Sequence, residues 1–399
     1  MKKKIINISK IITFEDDSDK LKIIDSPEVL IQNDKIIQIN NTVEDCDEII
    51  NAEKCVLTPG FIDSHSHPVF VGDRSNEFQM RLKGISYNEI ADMGGGIISS
   101  IKMLRKSSDD ELYESTFNNI KPFIFNGTTT LEAKSGYGLT TRDEIRSLEI
   151  LKKANDILDI DIIPTFLGAH AVPPEFSKVD YVNIICNEMI PEISKRNLAV
   201  FCDVFCEEGY FNIDESEKIL NVAKSYGLTP RIHAEEFKYS GGVELAKKIN
   251  AASADHLMAI NDKGISALSD SNVVATLLPG TTFMLNKNKY ANGRKLIDNK
   301  CSVALASDFN PGTCTIRSLP KIMLLAILKC GMNIEESFKG ITINGARAVQ
   351  KNDIIGSIKK GYKADILFWN IDKIDEIVYW DDSNQEKLKK IMKNGKIIN

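Results

Sequence analysis

Eight short apolar runs recur through the middle of this chain, and their spacing limits the fold more than any other feature. They are "GFIDSHSH" from Gly60, "GTTTLEAKS" from Gly127, "DIIPTFLGAH" from Asp161, "AVFCDVF" from Ala199, "TPRIHAE" from Thr229, "AASADHL" from Ala251, "VVATLLPG" from Val273 and "SVALASDF" from Ser302. They are apolar on both faces and rich in β-branched residues, as strands of a parallel sheet covered on both sides must be. Helix-like segments separate them. In "TTRDEIRSLEILKKANDIL", Thr141 and Glu144 have capping-box spacing, and Leu148, Leu151, Ala154 and Leu158 form one apolar stripe. Eight such units predict an α/β fold, a (β/α)8 TIM barrel, over residues 59–352.

A chain of 399 residues exceeds what one core usually organises, so a second, smaller domain is expected. Residues 1–58 and 353–399 supply it. Both flanks read as short alternating strands, as in "KKIINISKIITF", "EVLIQNDKIIQIN" and "KIMKNGKIIN". Because the ends of a domain often lie close together, the two flanks are expected to join in one β-sandwich-like unit. The charge run "KLKK" at 387–390 reads as solvated surface. The stretch from Val71 to about Asp110 is too long for a plain connection, and insertions of that kind often cover active sites. Its "MGGGI" at 93–97 lacks the spacing of a phosphate loop and reads as backbone freedom or close approach to a ligand.

Composition excludes several classes. A net charge of −6 offers no general attraction to nucleic acid or anionic membranes. The start "MKKKIINISKIITF" has a basic head, but Asn7, Ser9 and Lys10 interrupt the apolar run of a signal peptide, so a cytoplasmic location is expected. No stretch reaches the length of a membrane span. Eight scattered cysteines suit reduced thiols, and Cys202 and Cys206 in "CDVFC" read as buried small apolar side chains.

Five histidines are present, and all of them fall at the C-terminal ends of inferred strands: His65 and His67 after the first, His170 after the third, His233 on the fifth and His256 on the sixth. Asp308 closes the eighth. In a barrel those ends converge on the face that carries active sites. An isolated H-x-H is more often an ordinary turn, but five imidazoles and a carboxylate on one rim predict metal chemistry. His65, His67, His233 and Asp308 are the expected ligands, with a coordination position left for water whose pKa zinc lowers from about 15.7 to about 7. Glu236, three residues past His233, is placed to act as general acid and base, with Glu235 as its alternative. His256 would stabilise an oxyanion or pass protons; its structural alternative is a histidine bonded to Asp255.

The stretches "PGFIDSHSHPVFVGDRSNEF", "AKSGYGL", "PTFLGAHAVPPEF", "DVFCEEGYF", "HAEEF", "SADHL", "LLPGTTFML" and "ASDFNPGT" together resemble the imidazolonepropionases of the amidohydrolase superfamily. H-x-H after a strand marks the superfamily, whereas "KSGYGL" and "LGAHAVPPEF" are similar to this family in particular. The resemblance implies hydrolysis of the ring C–N bond of 4-imidazolone-5-propanoate to N-formimidoyl-L-glutamate, in histidine degradation, with one zinc or iron ion and a homodimeric enzyme. It implies His65, His67, His233 and Asp308 as ligands, catalytic roles for Glu236, His256 and Asp308, and substrate contacts from Arg74, Tyr137, His170, Glu236, Asn310, Gly312 and Thr313. Pro68, where an aliphatic residue is more usual, is a small departure.

Residue chemistry suits that substrate. An anionic tail needs a cation, and Arg74 offers a planar fork; its structural alternative is a surface salt bridge with Asp73 or Glu77. Tyr137 lies between two glycines, which would leave its hydroxyl accessible on a mobile turn, while main-chain groups near Gly312 and the Thr313 hydroxyl would hold the remainder. On that substrate Glu236 would pass the water proton to the departing ring nitrogen. A related deaminase, a binuclear hydrolase with carboxylated Lys134 and a non-catalytic metal-binding protein are the rival expectations. Lys134 lies on the second strand, away from the later ligands, which favours one ion.

Overall fold

A computed structural model describes residues 1–15, 20–85, 89–90, 93–380 and 384–398. The N-terminal strands are β1 (Lys2–Ile6), β2 (Lys10–Phe14), β3 (Leu21–Asp25), β4 (Glu28–Gln32), β5 (Lys35–Asn40), β6 (Glu48–Asn51) and β7 (Val56–Pro59). The barrel follows with β8 (Phe61–Asp63), β9 (Thr128–Lys134), β10 (Asp161–Ala169), β11 (Phe201–Cys206), β12 (Thr229–Ala234), β13 (Ser253–His256), β14 (Val274–Leu277) and β15 (Val303–Leu305). The C-terminal flank adds β16 (Ile366–Trp369), β17 (Leu388–Lys393) and β18 (Lys396–Ile397).

Strands β8 to β15 lie side by side in chain order, every neighbouring pair parallel. The first and last meet just beyond their ends. There Ser66 and Phe309 form a parallel bridge, Asp308 N donates to His65 O at 3.0 Å, and His67 N donates to Phe309 O at 2.8 Å. The TIM barrel read from the eight runs is therefore present, strand for strand.

The two flanks do join. β5-β4-β1-β6 form one sheet and β18-β17-β16-β7-β2-β3 another, with β16 pairing antiparallel to β7. The middle strands β7 and β16 of the second sheet are buried on both faces. Ile11, Leu57, Ile366 and Phe368 face a core shared with Ile5, Val29 and Ile31 of the first sheet. Their chain neighbours Ile12, Val56, Leu367 and Trp369 join the barrel's core instead. The alternation is the two-residue period of a strand, here apolar on both sides.

Two local expectations change. The helix Thr141–Ile157 is capped one residue earlier, by Thr140 accepting from Asp143 N, because the Thr-Thr pair offers two caps and Glu144 is engaged elsewhere. Leu148, Leu151 and Ala154 are buried as the stripe requires, and Leu158 is partly so. The run "KLKK" is not plain solvated surface: it enters β17, Leu388 is buried, and Lys390 Nζ reaches Glu53 Oε1 at 2.8 Å. Within the long insertion, residues 86–88 and 91–92 lie outside the described residues, and two of the described glycines lie against Glu77. Gly96 N donates to Glu77 Oε1 at 2.9 Å, and a Cβ on Gly95 would sit 3.0 Å from the same oxygen.

Candidate metal centre and active site

Strand geometry explains how the ligands meet. His65 and His67 leave β8 two residues apart and so share a side; His233 lies inside β12; Asp308 follows β15. The ligating atoms of His65, His67 and His233 lie within 4.8 Å of one another. His65 Nε2 is 3.2 Å from His67 Nε2, and Asp308 Oδ1 stands 3.6 Å from the first and 3.3 Å from the second. All four side chains are buried.

These donors fit a divalent cation. His65 Nδ1 donates to Asp255 Oδ2 at 2.7 Å, which leaves the lone pair on Nε2. Asp203 Oδ1 lies 3.1 Å from His233 Nδ1. His233 Nε2 is buried and makes no hydrogen bond among the described residues. Thr281 Oγ1 donates to Asp308 Oδ2 at 2.5 Å, so Oδ1 is the oxygen turned to the imidazoles. Burial, reinforced by Lys134 and the neighbouring imidazoles, holds His65 well below the usual imidazole range; burial does the same to His67, with His233 and Lys134 adding to it. Neutral rings are the form a metal needs.

The remaining predicted residues surround this centre. Arg74, Tyr137, His170, Glu236, His256, Asn310 and Thr313 line one pocket with His67, His233 and Asp308. His256 Nε2 is 3.7 Å from Glu236 Oε2. Burial lowers His256 to about 3, whereas burial, Asp308 and Glu207 raise Glu236 well above the usual carboxylate range. His256 is not bonded to Asp255, whose Oδ2 is taken by His65 and Arg231. Glu235 is a loop clamp: its carboxylate accepts from the backbone N–H of Ser240, Gly241 and Val243. Glu236 alone of the pair faces the pocket.

Arg74 is buried rather than a surface residue. Its Nε donates to Glu77 Oε2 at 3.0 Å, and its guanidinium packs flat on Gly312, where a Cβ would come within 2.0 Å of Arg74 Cζ. Gly312 O accepts from Arg81 Nη2 at 3.1 Å, and its N–H donates to Asn310 Oδ1 at 2.9 Å. Asn310 spends its side chain on the loop itself, with Nδ2 donating to Asp308 O and Thr313 Oγ1. The Tyr137 turn is held rather than mobile, since Glu144 Oε1 accepts from Gly136, Gly138 and Leu139 N–H groups and Tyr137 is buried. His170 Nδ1 is 2.9 Å from Gly136 O, leaving Nε2 for the pocket. Pro68 leaves the ligands in place, its carbonyl accepting from Asn119 Nδ2 at 3.0 Å.

Sequence reading passed over the charges beneath the centre. Lys134, weighed as a carboxylated bridge, is engaged in ion pairs: its Nζ lies 2.8 Å from both Glu132 Oε1 and Asp203 Oδ2. Asp203 inside "CDVFC" and Asp255 inside "SADHL" are carboxylates in otherwise apolar strands, and that was the available signal. Cys202 and Cys206 are buried, as read. Glu235, His256 and Asp308 have φ of 57°, 82° and 51°, the left-handed region that side chains other than glycine's rarely occupy.

Residues 56–398 match the amidohydrolase family model. An imidazolonepropionase of Geobacillus kaustophilus is 45% identical over 353 residues, 88% of this chain and 82% of the relative. One from Fusobacterium nucleatum is 41% identical over 409 residues, 99% of this chain and 98% of the relative. This chain belongs to the imidazolonepropionase family. Among solved structures, guanine deaminase from C. acetobutylicum superposes with a TM-score of 0.76 at 18% identity, covering 100% of both chains, and so shares the fold of this imidazolonepropionase-family member.

Proposed function

We propose that this chain hydrolyses 4-imidazolone-5-propanoate to N-formimidoyl-L-glutamate, a hydrolase acting on the C–N bond of a cyclic amide. The observation that carries the reading is one pocket in which the His67 and His233 imidazoles, the Glu236 carboxylate and a buried arginine meet, with His65 converging on the two rings. Three nitrogens and a carboxylate oxygen suit one zinc or iron ion, held by His65, His67, His233 and Asp308. When bound, that ion supplies Lewis acidity and a water of lowered pKa.

The chain's own residues do the rest. Arg74, whose Nε is held by Glu77, pairs with the propanoate carboxylate, a charge-assisted contact that sets the ring's orientation. Tyr137 and His170, with ring centroids 5.2 Å apart, form the wall beside the ring. Asn310, Gly312 and Thr313 shape the loop that keeps Arg74 in position, with the Thr313 hydroxyl bonded to the Asn310 side chain at the pocket wall. Glu236 takes a proton from the attacking water and delivers it to the ring nitrogen as the C–N bond breaks; the carbonyl carbon leaves as a carboxylate. Its raised pKa suits a group that must hold that proton between the two events. An N–H of His256 faces the oxygen on which charge develops.

The same reading divides the chain into residues 1–58 with 353–399 and residues 59–352, supported by the core that both flanks share. It takes the enzyme as a cytoplasmic homodimer acting on a small molecule, on the family resemblance and the net charge of −6; no described helix is long and apolar enough to cross a membrane. The decisive experiment incubates metal-loaded protein with 4-imidazolone-5-propanoate and follows formimidoylglutamate. Ring-opened product is expected; release of ammonia without ring opening would favour a deaminase.

A further inference from the structure

Directly beneath the metal centre the barrel is filled by charge. Glu132, Lys134, Asp203, Arg231 and Asp255 are all fully buried. Barrel interiors are normally packed with branched apolar side chains, and desolvating three carboxylates and two cations is weak support for stability. Their arrangement points to another purpose.

The charges form two parallel relays, each running from a cation through a carboxylate to a ligand imidazole. In one, Lys134 Nζ contacts Asp203 Oδ2 at 2.8 Å and Asp203 Oδ1 faces His233 Nδ1 at 3.1 Å. In the other, Arg231 Nη2 donates to Asp255 Oδ2 at 3.1 Å, and the same oxygen accepts from His65 Nδ1 at 2.7 Å. Glu132 stands between them. Its Oε1 accepts from Lys134 Nζ at 2.8 Å and from the Thr165 hydroxyl, with Arg231 Nε 3.9 Å away. Its Oε2 accepts from Ser66 N at 3.3 Å, and its main-chain oxygen accepts from Ser66 Oγ at 2.6 Å. Ser66 is the residue between the two ligands of "HSH", and Ser64 on the other side of His65 is held by Arg231 through its carbonyl, 2.7 Å from Nη2.

We propose that Glu132 is a positioning residue that ties both relays and the His65-Ser66-His67 backbone into one frame, so that the imidazoles are aimed together before any ion arrives. It touches neither ion nor substrate. The proposal rests on the metal reading of the site, and its test separates the two.

Glu132→Gln keeps the shape and removes the charge. Zinc dissociation constants measured on the full chain by competition with a chromogenic chelator should weaken about 10- to 100-fold, the usual cost of losing an outer partner of a metal ligand. The visible spectrum of the cobalt(II)-loaded variant should shift, which a merely structural loss would not cause. Lys393→Met, which breaks the buried Lys393–Asp365 pair of the terminal sheets, serves as the control for general destabilisation and should leave both readouts unchanged. Thr165→Val, which removes only one bond to Glu132, should weaken zinc binding several-fold and covers the case in which Glu132→Gln does not fold. Parent-like zinc affinity and cobalt spectrum in whichever of these variants folds would overturn the proposal. Failure of the parent itself to bind one ion would overturn the metal reading instead.

Discussion

Between the two sheets of the terminal flanks lie Ile5, Ile11, Val29, Leu57, Ile366 and Phe368; inside the barrel, equally far from water, lie Glu132, Lys134, Asp203, Arg231 and Asp255. Both sets fill space between β-strands. The first is held by contact area, which has no direction and tolerates exchanges of similar volume. The second is held by hydrogen bonds with fixed angles, and a charge left without its partner is costly. Apolar packing brings strands together; charged packing aims what the strands carry.

That contrast can be broken most severely at the centre. In His233→Ala, metal retention and hydrolysis should disappear together while circular dichroism stays that of the parent, and chelation of the parent should do the same. Full turnover by exhaustively demetallated protein would remove the metal from the account. Next comes Glu236→Gln, for which metal content and substrate binding should survive while kcat falls by about 10²- to 10⁴-fold. Glu235→Gln should sharpen the distinction: it weakens a loop clamp, so a lowered melting temperature with little change in kcat is expected. If the kinetic loss follows Glu235 instead, the proton carrier has been misassigned.

A smaller loss is expected at the substrate tail. Arg74→Met removes one charge-assisted contact of about 1.5–3 kcal/mol, so kcat/KM should drop about 10- to 100-fold on the natural substrate and hardly at all on an imidazolone lacking the carboxylate. Gly312→Ala should mimic it, because the new methyl occupies the place of the guanidinium. Equal losses on both substrates would make Arg74 structural. The smallest effect on chemistry belongs to the other core. Phe368→Ala should cost about 3–5 kcal/mol in unfolding by denaturant yet leave KM and zinc affinity as they are. Coupling of that loss to metal binding would show that the two cores are not independent.

How legible all this was in the sequence follows the same division. The eight barrel strands and both flanks could be read because apolar periodicity is local, and the histidines could be assembled because parallel strands in a barrel end on one face. His65, His67, His170, His233 and His256 needed no knowledge of side-chain partners to be grouped. Partner choice was the hidden part. Nothing local says that Glu144 clamps the Tyr137 turn while Asp143 joins the helix cap, or that Glu235 points back into its own loop while Glu236 points to the pocket. Asp255 chose His65, 190 residues away, over its neighbour His256, a pairing set by how β8 and β13 face each other across the barrel. Left-handed backbone at His256 and Asp308 was likewise not legible: Asp and His are among the non-glycine residues that enter that region most readily, but nothing local says which of them do.

The seam between the first and last barrel strands has a mechanical meaning. β8 and β15 share no ladder; among the described residues they are joined by the Ser66–Phe309 bridge, the flanking amide contacts and Ser307 N donating to Asp63 Oδ1 at 3.1 Å, and His65, His67 and Asp308 sit on that joint. An ion held by His65, His67 and Asp308 would therefore fasten the ring like a clasp, linking points at opposite ends of the barrel's chain. If it bound the closed ring and not the opened one, its affinity would add to the free energy needed to part the staves, about 4.1 kcal/mol when free ion stands at roughly a thousand times its dissociation constant. Loss of the ion would loosen the hoop at the place where substrate must be held.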